Sequence, residues 1–130
     1  FLRRNDYPAG PLLLTDWGPT NTGWFRSGLA HKRTALSRLV TEMPQLSWAL
    51  VGDDGQHDPE IYAHAVAEHP GSVQLIAIRR LTAAEQVLAH GIPLPLRQAE
   101  DDDAPLVVHG ADGHELVLRL VDTGVLPPLH

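Results

Sequence analysis

The chain has 130 residues, of which 43% are hydrophobic and none is cysteine, and its 16 acidic and 10 basic side chains give a formal charge of −6. That length and apolar content fit one domain over residues 1–130 with one core. Disulfide and thiolate chemistry are excluded, and the acidic balance offers no bulk attraction to nucleic acid or to an anionic membrane. No apolar run approaches the ~20 residues of a membrane span, so the expected location is cytoplasmic, with any membrane role peripheral.

Along the chain, the leucine triplet at 12–14 predicts a short strand, and residues 19–28 read as a glycine-bounded loop carrying Trp24, Phe25 and Arg26. Leu36, Leu39, Val40 and Met43 keep the helical period over 31–43, and Pro44 stops that helix. Residues 47–52 form an apolar strand. Asp58 then predicts an N-cap, with Pro59 at the first helical position and Ile61, Ala65 and Val66 on one face. Residues 72–80 carry the strongest strand signal. Thr82 and Glu85 spell a capping box opening a helix to about residue 89. Residues 92–105 are a proline-broken, then acidic, linker, followed by a strand at 105–110 and a helix over 112–121. Leu116, Leu118 and Leu120 also alternate, so the last segment has a strand as its alternative. The order β-α-β-α-β-α-β-α, with short and nearly continuous apolar strands, predicts a three-layer, Rossmann-like α/β fold with a parallel sheet. Ligands of such sheets bind outside the carboxyl ends of the strands.

The stretch GDDGQHDPE, residues 52–60, sits at one of those ends. Asp53 and Asp58 flank a glycine-rich turn that can fold both carboxylates toward one point. Magnesium takes one or two protein carboxylates and completes its shell with water and phosphate oxygens. Spacing alone leaves a second reading open, in which Asp58 caps a helix, Asp54 is solvated and Asp53 accepts backbone N–H groups. His57 reads as a surface or substrate contact, because imidazole suits magnesium poorly. Lys32 supplies a point charge for a phosphate or opens a solvated helix, and Arg26 invites the same two readings. Arg79, ending its strand at the same sheet edge, binds phosphate or pairs with Asp53 or Asp58. His64 and His69 read as surface residues, and no phosphate-binding loop, zinc helix or nucleophile elbow occurs.

The segments GPLLLTDWGPTNTGWFRSGLAHK, WALVGDDGQHDPEIY, VQLIAIRRL and EQVLAHG together resemble the catalytic domain of fungal actin-patch-associated phosphatidate phosphatases and their bacterial relatives. That family is similar to the haloacid dehalogenase superfamily. The resemblance implies magnesium ligation by Asp53 and Asp58, and steadying of the transferring phosphoryl group by Lys32. It implies hydrolysis of a phosphomonoester, phosphatidate foremost, through a phospho-aspartate. Asp-x-Asp-x-Thr, which carries the nucleophile in that superfamily, does not occur in this sequence. The expectation is therefore the C-terminal portion of a phosphatase domain, incomplete at its N-terminus and inactive alone. Its sheet edge should be apolar and exposed, and should dock on the missing part or drive oligomerisation. The alternative is a non-catalytic regulatory or phosphate-binding α/β module.

Overall fold

The computed structural model describes residues 24–55, 57–85 and 104–128, with Arg4 in addition. The expected strand at 12–14, most of the linker and the helix beyond Glu85 lie outside the described residues. Helix α1 (Trp24–Glu42) is followed by strand β1 (Trp48–Asp53), helix α2 (Asp58–Glu68) and strand β2 (Val73–Arg79). Strand β3 (Leu106–Gly110) and helix α3 (Gly113–Asp122) complete the described elements. The three strands form one parallel sheet in the order β1-β2-β3.

The central strand explains why the sequence runs apolar without alternating there. Ile76 and Ile78 join Leu50 on one face, packed by Leu36 of α1 and by Tyr62 and Val66 of α2. Leu75 and Ala77 point to the opposite face and join Val108 beneath Leu116 and Leu120 of α3. Both faces are therefore covered, giving the expected three layers. Burial of Ile76 and Ile78, each 1% exposed, contributes about 1.5–3 kcal/mol per side chain. β1 has a neighbouring strand on one side only among the described residues, and its Val51 is 67% exposed. No helix among the described residues is long and apolar enough to cross a membrane.

Two local readings need correction. α1 begins at Trp24, so residues 24–28 are helical and not loop. Gly28 has open space at its Cβ position and no positive φ; it is a weak helix former inside a long helix, where packing overrides propensity. The N-cap of α2 is His57, without a side-chain cap bond, and Asp58 is already helical. The last segment keeps the expected helix over its strand alternative: Asp112 caps residues 113–122 and accepts the Glu115 N–H.

Candidate functional site

At the carboxyl end of β1, Gly52 makes room for everything else. A Cβ at that position would lie 2.5 Å from Asp58 Oδ2 and 2.7 Å from Tyr62 Oη. Only glycine lets α2 approach the strand so closely. Asp58 is 8% exposed, and a carboxylate that buried needs partners. It has two. Lys32 Nζ of α1 donates to its Oδ1 at 2.8 Å, and the Asp53 N–H donates to its Oδ2 at 3.3 Å. The lysine side chain remains half exposed, so its other protons are open to a ligand. Tyr62, one turn further along α2, donates its hydroxyl to the Val51 carbonyl at 2.7 Å. Burial first, then the nearby charges of Asp58 and Asp53, raise the Tyr62 pKa well above its usual 10 and keep it a proton donor.

The two aspartates after the glycine have separate roles. Asp53 Oδ1 accepts the Gly55 N–H at 2.9 Å, closing a tight turn. Its other oxygen has no partner among the described residues. Asp54 is not solvated, as the sequence suggested. Its N–H donates to the Arg79 carbonyl at 3.1 Å, and its Oδ1 accepts the Leu81 N–H at 2.7 Å. It therefore ties the ends of β1 and β2 together.

Lys32, Asp53 and Asp58 are thus brought together, and the other predicted residues are directed elsewhere. Arg79 Nη2 lies 3.3 Å from Glu85 Oε1, whose carboxylate also completes the predicted capping box with Thr82. His57 Nδ1 lies 3.4 Å from Glu60 in the same helical turn. Arg26 belongs to α1, but its side chain lies outside the described residues. His69 meets Ser37 Oγ at 3.0 Å between α1 and α2, so it is a contact between helices and not a bare surface residue. Tyr62 was missed as a site residue; its signal was the four-residue spacing from Asp58, which puts both on one helix face.

A cleft of about 450 Å³ opens between α1, β1 and α2, with Lys32, Asp58 and Tyr62 among its walls and Leu36, Trp48 and Ile61 as its apolar lining. Among the described residues no group of three or more histidine, aspartate or glutamate side chains is placed to hold a metal. The donor set at the strand end is two carboxylates with only oxygen to offer. That set fits magnesium, which draws its remaining ligands from water and substrate, and does not fit an all-protein cage for zinc or calcium.

The model of the family described as "Phosphatidate phosphatase APP1, catalytic domain" matches residues 1–80. Those residues contain α1, β1, α2 and β2, and with them every side chain of the site. The phosphatidate phosphatase APP1 of Saccharomyces cerevisiae (strain ATCC 204508 / S288c) is 25% identical over 75 residues, which cover 57% of this chain but only 13% of that protein. No solved structure matches the chain.

Proposed function

As the chain belongs to the phosphatidate phosphatase APP1 catalytic-domain family, we propose that it forms the magnesium- and phosphate-positioning part of a phosphomonoesterase acting on phosphatidate. The observation that carries this reading is the 2.8 Å contact of Lys32 Nζ with Asp58 Oδ1. It joins two helices through residues 26 apart in sequence at the end of a parallel strand, where α/β folds bind ligands.

In this reading Asp53 and Asp58 would hold magnesium. The bound ion supplies Lewis-acid neutralisation of the phosphate oxygens, without which two carboxylates would repel the substrate. Lys32 keeps one proton on Asp58, which fixes the direction of its ammonium. Its remaining protons donate to the equatorial phosphoryl oxygens as charge spreads over them in the transition state. The apolar side of the cleft excludes water from one flank of the phosphate and accepts the lipid portion next to it. The nucleophile is an aspartate from outside these residues, as in haloacid dehalogenase-like enzymes. It attacks phosphorus, expels the alcohol and is regenerated when water hydrolyses the aspartyl phosphate.

The test is phosphate release from phosphatidate vesicles by the full-length protein, with magnesium and with chelator. Magnesium-dependent release that falls about 100-fold or more in Lys32→Ala and Asp58→Asn proteins of native fold is expected. Full activity in both variants overturns the roles. Absence of magnesium-dependent release and of magnesium binding in the unaltered protein leaves the non-catalytic α/β module as the function.

A further inference from the structure

β1 ends in a backbone that is held from both sides by different means. The Asp54 N–H bonds to β2 through the Arg79 carbonyl. Successive residues of a strand alternate in the direction of their backbone groups, so Gly52 and Leu50 also face β2, whereas Ala49, Val51 and Asp53 face the edge that has no neighbouring strand among the described residues. Two of the groups on that edge are taken by side chains of α2. Tyr62 Oη donates to the Val51 carbonyl at 2.7 Å, and Asp58 Oδ2 accepts from the Asp53 N–H at 3.3 Å. Residues 58 and 62 stand one turn apart, so the two bonds act as a pair of struts from one helix face to one strand edge.

Between the struts lies Gly52, against which both side chains pack so closely that a methyl group would meet each of them under 3 Å. The tyrosine hydroxyl has one proton, and the Val51 carbonyl receives it. It therefore does not compete with Lys32 for Asp58. What it fixes is the peptide leading into Gly52 and Asp53, and with it the aim of the Asp53 side chain. Without that strut, the longer bond to Asp58 would be the one side-chain bond among the described residues to hold the strand end on this edge.

We propose that Tyr62 is a positioning residue for the paired carboxylates: its hydroxyl holds the end of β1 so that Asp53 and Asp58 face one ligand together. The role rests on the phosphatase reading above. It concerns a residue whose hydroxyl proton is committed to the Val51 carbonyl and which acts through the backbone.

Tyr62→Phe in the full-length protein removes the hydroxyl and keeps the ring that packs on the core. Loss of one such hydrogen bond should lower kcat for magnesium-dependent phosphate release by about tenfold. KM for phosphatidate should stay within about twofold, and titration calorimetry should show magnesium bound severalfold more weakly. A purely structural tyrosine would lower the melting temperature and leave kcat and magnesium affinity unchanged, and that result overturns the proposal. Full activity in the unaltered protein with unchanged Tyr62→Phe kinetics sinks this role alone. An unaltered protein that neither binds magnesium nor releases phosphate sinks the phosphatase reading and this role with it.

Discussion

The junctions β1–α2 and β3–α3 are written in nearly the same residues and use them in opposite ways. Each has a glycine with no room for a side chain, then acidic residues, then a helix. At β3–α3 every acid serves its own helix. Asp112 accepts the Glu115 N–H at 2.8 Å, and Glu115 reaches back to the Ala111 N–H at 2.7 Å and forward to Arg119 Nη2 at 2.6 Å. These bonds, the one to the Ala111 N–H first, hold the Glu115 pKa below the usual carboxylate range. At β1–α2 the helix goes without a side-chain cap, forgoing about 1 kcal/mol. Asp58 is turned instead to Lys32 of another helix and to the strand. Only this second junction falls within the family match over residues 1–80. The count of acids does not distinguish a site from a cap; the elements their bonds reach do.

The largest expected effect would break this contrast if it failed. Asp58→Asn should reduce magnesium-dependent phosphate release about 100-fold or more while changing stability by less than about 1 kcal/mol, because the lysine of the pair is half solvated. Asp112→Ala should do the reverse, with the rate per folded molecule unchanged and about 1 kcal/mol of stability lost. Denaturant melts and phosphate assays on the same preparations measure both. Equal activity losses in the two variants would erase the distinction.

The glycines sharpen it next. A Cβ at Gly110 would sit 2.8 Å from the backbone nitrogen of Leu116, which cannot move without shifting α3. Gly110→Ala should therefore cost about 1–3 kcal/mol and spare the rate. At Gly52 the close atoms belong mainly to the ends of side chains. The two oxygens can swing away but Asp58 Cβ, 2.8 Å off, moves only with α2, so Gly52→Ala should cost a similar amount of stability and, unlike Gly110→Ala, activity as well, by displacing Asp58 and Tyr62 from their bonds.

How much of this was readable beforehand follows the range of each interaction. The run from Val73 to Ile78 announced a strand covered on both faces, and Thr82 with Glu85 announced a capping box four residues long; both signals are local and both agree with the structure. Asp58 before Pro59 looked like a cap because a local pattern cannot register Lys32, 26 residues upstream. Asp54 looked solvated for the same reason, its acceptor role being set by Leu81, 27 residues on. Gly28 was read as punctuation, although α1 runs through it. Asp112 and Glu115 form a box of the same four-residue pattern as Thr82 and Glu85, and that local signal agrees with the helix read there over the strand that the leucine alternation also allowed. Within the site, the sequence brought Lys32, Asp53 and Asp58 to notice, while the roles of Gly52 and Tyr62 emerge only from how closely α2 packs on β1.

The smallest effect bears on His109, on β3. Its Nδ1 is buried without a partner among the described residues. Burial, and then the positive charge of Arg80, lower its pKa from the ordinary 6.5, with Asp54 partly opposing and Arg119 adding to the decrease. The unfolded chain therefore takes up a proton at this residue at higher pH than the folded chain does. Stability from His109 is fully present above about 6.5 and is lost as pH falls below that value through the lower folded pKa. Melting temperatures followed from pH 7.5 downward should thus decline less steeply in His109→Gln, which does not titrate, than in the unaltered protein. Because β3 lies on the side of the sheet that serves the fold, phosphate release per folded molecule should be the same in both proteins at pH 7.5. A parallel decline of the two stability curves would show that the imidazole is as well solvated as in the unfolded chain. A loss of activity in His109→Gln would extend the site across the sheet and end the division between the two junctions.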